Sequence, residues 1–262
     1  MKTLIEDAVA RASQCETALS FDKSTADDEE LEEIIKECQA RIKVIGVGGA
    51  GCNAITRLIE VGVEGSEDIA VNTDAQDLRK CRANKKILIG TEISKGLGAG
   101  NNPSVGEQAA KEDERLLREA IDKADMVFVT CGLGGGTGTG AAPIIADVAK
   151  KTGALTVGIV TLPFTVEGIR RQRNAEKGLE NLRRSSDTVI VIPNDKLLEL
   201  APGLPIGAAF KVSDDILIQS VRDYGENVPP LFNAYMNLSP SMKTFGTTVN
   251  EKFEMFLKRV LL

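Results

Sequence analysis

The chain has 262 residues, of which 42% are apolar, and it carries a formal net charge of −6 with a pI near 5.0. This is length for one large domain or two small ones, with enough apolar content for a sizeable core. The acidic balance argues against nucleic acid as a partner, and no apolar run reaches the roughly 18 residues that a membrane span needs.

The first residues, Met1-Lys-Thr-Leu-Ile-Glu-Asp-Ala, lack the apolar core of a signal peptide. Five scattered cysteines without close pairs fit a reducing cytosol. Histidine is absent, which removes the commonest general base and the commonest metal ligand. Catalysis would then fall to carboxylates, Lys, Arg, backbone dipoles or a bound metal.

Residues 1–40 are acidic and show no strand pattern. The stretch from Ser24 to Lys36 reads as a capped helix with acids in its first turn, part of a peripheral helical extension. Its acidic face reads either as solvated surface or as a docking face.

Ile42–Val47 reads as the first core strand, and Gly48-Gly-Ala-Gly-Cys-Asn53 opens a helix through Val61. Gly46, Gly48 and Gly51 satisfy G-x-G-x-x-G between a strand and a helix, the setting a dinucleotide fingerprint requires. Asp68–Asn72 is the second strand, followed by Asn72-Thr-Asp-Ala75. Asp74 could reach a ribose hydroxyl or a metal, or could cap a short helix over Ala75–Arg82. Lys86–Ile89 is a third strand. Gly96-Leu-Gly-Ala-Gly-Asn-Asn-Pro103 is a glycine-rich loop, and a helix over Ser104–Lys123 follows.

Met126–Thr130 is an apolar strand, and Ala141–Lys150 an amphipathic helix. Between them lies Cys131-Gly-Leu-Gly-Gly-Gly-Thr-Gly-Thr-Gly140. A glycine-rich loop lets its backbone approach a ligand closely, and the helix behind it offers free N–H groups and a positive dipole end. This is a phosphate cradle, with the hydroxyls of Thr137 and Thr139 as added donors. A flexible linker would be Ser-rich with polar flanks, and a Walker A loop would continue into Gly-Lys-Ser/Thr; neither description fits. On this reading, Gly136→Ala with Thr137→Val abolishes nucleotide binding and leaves the other loops intact.

Leu155–Leu162 is a buried strand. Pro163 to Arg171 leads into a helix ending near Arg184. Glu167 and Arg171, four apart, could pair with each other or hold ribose and phosphate. Thr188–Pro193 is the last strand, followed by Asn194 and Asp195, and Pro205 precedes a helix over Ile206–Val221. On it Phe210 and Asp214 lie one turn apart. The ring could stack on a guanine while the acid accepts from N1 and N2, or Phe210 could be core. The β-α alternation predicts an α/β fold, a Rossmann-like parallel sheet with helices on both faces and ligands at the carboxyl ends of the strands. A dehydrogenase reading rests on Gly46–Gly51 alone and fits three glycine loops less well than a polyphosphate does.

These motifs together resemble the FtsZ family, the tubulin-like cell-division GTPases of prokaryotes, in archaeal form. The resemblance covers about residues 40–221 and rests on Gly132–Gly140, with Gly48–Asn53, Asn72–Ala75, Gly96–Asn102, Pro163-Phe-x-x-Glu-Gly-x-x-Arg171 and Ile192-Pro-Asn-Asp195 in support. It implies a site for GTP or GDP, with Mg2+ accompanying GTP. Gly48, Gly49, Ala50 and Asn53 would lie near the phosphates with Gly98, Ala99 and Gly100. Gly134, Gly135, Gly136, Thr137, Gly138 and Thr139 would hold the α- and β-phosphates. Asn72 and Asp74 would complete the second-strand side, and Glu167 and Arg171 would hold ribose and phosphate. Asn194, Phe210 and Asp214 would face guanine, with Asn174 assisting. The resemblance further implies a cytoplasmic protein at the mid-cell division site. It would assemble head to tail with itself, meet other division proteins, and reach a membrane only through partners.

One departure accompanies the resemblance. In the family, the helix that would end near Val221 leads to an acid-bearing loop of Asn-x-Asp-Phe-x-Asp type, which completes the neighbouring subunit's site, and a second α/β domain follows. Residues 222–262 show neither motif. They hold six aromatics against four in residues 1–221, with Val228-Pro-Pro-Leu and Asn237-Leu-Ser-Pro240 breaking any strand alternation. The chain is therefore expected to divide into an acidic extension (1–40), a GTP-binding domain (41–221) and an atypical tail (222–262), from a frameshifted or truncated gene or a genuine variant. No catalytic residue is assigned, and the departure sets a GTP-binding module without turnover beside the polymerising GTPase that the resemblance implies.

Overall fold

The computed structural model describes residues 41–62, 65–196, 208, 211 and 212. The expected N-terminal helix, the tail after 221, and both Phe210 and Asp214 lie outside them. Six strands form one sheet: β1 (Ile42–Val47), β2 (Ser66–Asn72), β3 (Lys85–Leu88), β4 (Met126–Gly132), β5 (Leu155–Leu162) and β6 (Thr188–Pro193). Their order is β3-β2-β1-β4-β5-β6, and every neighbouring pair is parallel. Seven α-helices that lie wholly within the described residues accompany them: α1 (Gly48–Val61), α2 (Ala75–Lys80), α3 (Thr91–Ser94), α4 (Pro103–Glu112), α5 (Glu114–Ile121), α6 (Thr137–Lys151) and α7 (Ile169–Ser185).

A parallel sheet needs apolar cover on both faces, and successive strand residues supply it alternately. Ile45, Val47, Val127, Val129 and Cys131 pack with Ala109, Leu117, Ile121, Ile145 and Leu182 of α4 to α7. Val44, Ala70, Phe128 and Ile159 pack on the other face with Cys52, Ile55 and Leu58 of α1 and Leu78 of α2. Val212 joins this second cluster, and the Lys211 carbonyl accepts from Arg57 on α1 at 2.8 Å. Ala208, Lys211 and Val212 are helical, within the helix expected over Ile206–Val221.

Chain order reverses between β1 and β4, which pair from Ile42 with Met126 to Val47 with Cys131. With right-handed crossovers this reversal opens a crevice at the carboxyl ends of the two central strands.

Several boundaries differ from the sequence reading. α6 begins at Thr137 rather than Ala141, so the last glycines of the cradle belong to a helical turn. The helix expected over Ser104–Lys123 is two helices meeting at Asp113 (φ −106°, ψ 21°). The Asp113 carboxylate accepts from Gly90 N at 2.7 Å, a tertiary bond that holds the break. The short helix α3, unread in the sequence, starts after Gly90 and stops at Lys95, both left-handed.

Candidate functional site

α1 starts directly after β1, and α6 one tight turn after β4, so both helix N-termini enter the crevice. Neither has a side-chain cap or an acid in its first turn. Their N–H groups are unmet by side chains, and each end carries roughly half a positive elementary charge. The neighbouring loops differ. Asp74 caps α2, accepting from Gln76 N and Asp77 N at 2.9 and 3.1 Å. Asn102 caps α4, accepting from Ser104 N.

Glycine permits the convergence. A Cβ on Gly48, whose φ is +72°, would fall 2.9 Å from Gly138 N. One on Gly46 would lie 2.3 Å from the Gly51 carbonyl, and one on Gly51 2.6 Å from the Thr130 carbonyl. These are close strand–helix approaches. Gly135 and Gly100, by contrast, face nothing within 4 Å; they line the open side.

The two threonine hydroxyls have partners within the chain. Thr139 Oγ1 accepts from Gly134 N at 2.9 Å, and Thr137 Oγ1 lies 2.7 Å from Thr73 Oγ1. Asn174 on α7 donates Nδ2 to the Gly134 carbonyl at 3.4 Å. Gly134 is thus held from both sides, at φ +106°. Ala99 is buried beside the cradle: the Cβ absent from Gly136 would meet Ala99 Cβ at 2.7 Å and Asn102 N at 2.9 Å. An alanine at 136 would push the Gly96–Asn102 loop, so the expectation that the other loops stay intact in such a variant does not hold.

Gly49, Ala50 and Asn53 are exposed on the first turns of α1. Asn72 is buried at the end of β2; its Oδ1 accepts from Thr73 N, while its Nδ2 has no partner. Asp74 takes the capping alternative, and Gly98 lies against it, its missing Cβ 3.6 Å from Asp74 Oδ2. Glu167 and Arg171 pair with each other, and Glu167 Oε1 also accepts from Phe164 N at 2.8 Å. The pair closes the β5 side of the crevice, with Asn194 buried after β6. Asp195 accepts from Thr165 N and Oγ1 at 2.9 and 2.6 Å, fixing the Pro163–Glu167 turn. The sequence reading missed Thr73, which is fully buried; its position inside the Asn72–Ala75 motif was the available signal.

Among the described residues no three His, Cys, Asp or Glu side chains converge to hold a metal. The donor set is instead amides, hydroxyls, one buried amide N–H pair and one guanidinium, which suits an extended anion.

Two uncapped helix N-termini at the switch point of a doubly wound parallel sheet, without a Walker lysine, define a Rossmann-type domain shaped to receive phosphates. The comparisons are specific: the chain belongs to the Tubulin/FtsZ family, whose GTPase domain matches residues 41–202. It is 61% identical over 241 residues to the cell division protein FtsZ 1 of Thermococcus kodakarensis, covering 90% of this chain and 65% of that protein. It is 55% identical over 222 residues to the cell division protein FtsZ of Methanothermobacter thermautotrophicus, with 85% and 58% covered. The chain thus spans about two thirds or less of these curated relatives. The 241-residue alignment is longer than the stretch 40–221, so the likeness extends into the flanking sequence. Among solved structures, the empty FtsZ dimer of M. jannaschii superposes with a TM-score of 0.74 at 53% identity, covering 78% of this chain and 59% of that one. CetZ2 of Haloferax volcanii, a GTPγS-bound protofilament, gives 0.63 at 26% identity, with 77% and 60% covered.

Proposed function

We propose that this chain binds GTP and GDP in the crevice between β1 and β4. A second copy would stack on it head to tail in a cell-division filament, and GTP would be hydrolysed at the contact between copies. The observation that carries the reading is the convergence of the α1 and α6 N-termini, with Gly48 against Gly138. Phosphates would accept from the amides of Gly49 and Ala50 and of Gly135 to Thr137, with Gly98 to Gly100 closing over them and Arg171 on the far side. Asn194, Phe210 and Asp214 would take the base. Mg2+ would be held chiefly by phosphate oxygens and water, its usual preference, because Asp74 is committed to α2. Division-ring assembly, partner division proteins and a cytoplasmic mid-cell location come with the same reading, supported by the names of the relatives.

A second reading is a GTP-binding module without turnover. It is favoured by residues 222–262, where no Asn-x-Asp-Phe-x-Asp segment is found.

Calorimetric titration of GDP, GTP and ATP tests the nucleotide assignment. GTP and GDP should bind at least about fivefold more tightly than ATP, since adenine presents an acceptor to an acid and leaves it unpaired, at a cost of about 1–3 kcal/mol. Equal affinities would overturn the guanine assignment.

A further inference from the structure

Thr73 touches no solvent, yet it joins three of the loops around the crevice. Its hydroxyl lies 2.7 Å from that of Thr137, in the first turn of α6. Its carbonyl accepts from Gly98 N at 3.1 Å, and the Ser94 hydroxyl of α3 lies 3.2 Å from the same oxygen. Its own N–H donates to Asn72 Oδ1 at 2.9 Å. At 0% exposure it cannot meet a ligand directly.

We propose that Thr73 is a positioning residue that makes the Gly96–Asn102 loop and the phosphate cradle respond to nucleotide as one unit. The proposal rests on the nucleotide reading above. Each hydroxyl has one hydrogen and two acceptor lone pairs. Between Thr73 and Thr137, one donates and the other accepts. When Thr137 turns its hydrogen to a phosphate oxygen, the hydrogen between the two threonines has to come from Thr73. Thr137 then keeps a partner on its buried oxygen, and the chain of donors polarises toward the anion. With the hydrogen reversed, Thr137 presents only lone pairs to the phosphate. An anion therefore selects one arrangement and fixes the rotamers of both threonines. Because the Thr73 carbonyl holds Gly98, fixing Thr73 also fixes the Gly96–Asn102 loop. That loop depends on outside anchors: Lys95, Gly96, Gly98, Gly100 and Asn101 are all left-handed.

The test compares Thr73→Val, Thr73→Ser and Thr137→Val with the unmodified chain, by GDP titration and by trypsin cleavage after the exposed Lys95. Thr73→Val should weaken GDP by between roughly threefold and tenfold, the range spanned by one net hydrogen bond. Thr73→Ser should restore affinity. The Thr73→Val/Thr137→Val double variant should lose no more than the worse single one. At saturating GDP, Lys95 should be protected in the unmodified chain and in Thr73→Ser but cleaved in Thr73→Val. If Thr73→Val fails to fold, Thr73→Ala takes its place in each comparison. Unchanged affinity and protection in the hydroxyl-less variant, no rescue by serine, or additive losses would each overturn the proposal. Absence of GDP binding by the unmodified chain would overturn the nucleotide reading instead. The coupling between Thr73 and Thr137 would then be read from melting temperatures alone, where additive losses would still count against it.

Discussion

Gly48 and Gly138 stand so close that a Cβ on the first would lie 2.9 Å from the backbone nitrogen of the second. One glycine opens α1 and the other lies in the first turn of α6. The contact fixes the two helix N-termini as a pair, so their amides can meet a single oligoanion. Gly48 also sits at φ +72°, a conformation costing an L-residue about 1–2 kcal/mol. Gly48→Ala should therefore lower stability by about 2 kcal/mol or more and remove nucleotide binding. Urea denaturation and GDP titration check both; a variant that binds normally would place the phosphates elsewhere.

Gly135 and Gly136 are neighbours with opposite expected outcomes. Gly135 has nothing within 4 Å of its missing Cβ and a φ outside the left-handed range. Gly135→Ala should melt within about 1–2 °C of the unmodified chain, a stability change well under 1 kcal/mol. It should nevertheless weaken GDP about tenfold or more by blocking close backbone approach. Gly136→Ala should lose stability instead, because its Cβ meets Ala99 and Asn102. The pair of melting curves and titrations separates ligand-facing glycine from packing glycine.

Much of this site was legible because glycine and strand patterns are local. The bounds of β1, β5, β6 and α1 follow from apolar runs ended by glycine or proline. The start of α6 was not legible. Glycines at 138 and 140 read as loop by propensity, yet they are helical because they let α6 pack tightly: a Cβ on Gly140 would lie 2.0 Å from the Pro103 carbonyl. Tertiary contact overrides propensity there. At Asp74 and at Glu167 with Arg171, the partners seen in the structure are ones that periodicity does not encode. Asp74 meets the first amides of α2, and Glu167 meets Arg171. Thr73 escaped notice because its partner Thr137 lies 64 residues away.

Asp68 gives the domain a pH-dependent stability remote from the crevice. It lies on β2, 4% exposed, with Asp68 Oδ1 accepting from Ser66 Oγ at 3.1 Å. Burial pushes its carboxyl up from 3.8 to about 6. Between these values the folded chain keeps a proton that the unfolded chain has released. Stability therefore falls as pH rises through this window and levels off above about 6, a loss of about 3 kcal/mol from this group. Asp68→Asn keeps the acceptor for Ser66 without the charge. Its urea midpoint should exceed that of the unmodified chain near pH 7.5 and match it near pH 4. An unchanged midpoint near pH 7.5 would show that the carboxylate is not penalised by burial.

A head-to-tail contact is heterologous and builds open filaments, so on the proposed reading one copy supplies the phosphate cradle and the next supplies the groups that position water. The cradle half is present: Gly132 to Thr139 and the Glu167–Arg171 pair frame the crevice. For the other half, in-line attack on a γ-phosphate needs a group that orients the water. Residues 222–262 contain Asp223, Glu226, Glu251 and Glu254 outside any Asn-x-Asp-Phe-x-Asp segment, and histidine is absent from the chain. The isolated chain should therefore bind GTP and hydrolyse it slowly, with specific activity that stays flat as protein concentration rises. Adding a longer relative, such as an FtsZ of the Thermococcus type, should raise turnover of GTP held by this chain, since the partner's acids would reach its crevice. Phosphate release is measured across a concentration series, alone and with a relative whose own GTP site is disabled. A steep, cooperative rise for the isolated chain would mean that residues 222–262 complete the site. No stimulation by the relative would mean that this chain does not present its nucleotide to a neighbour.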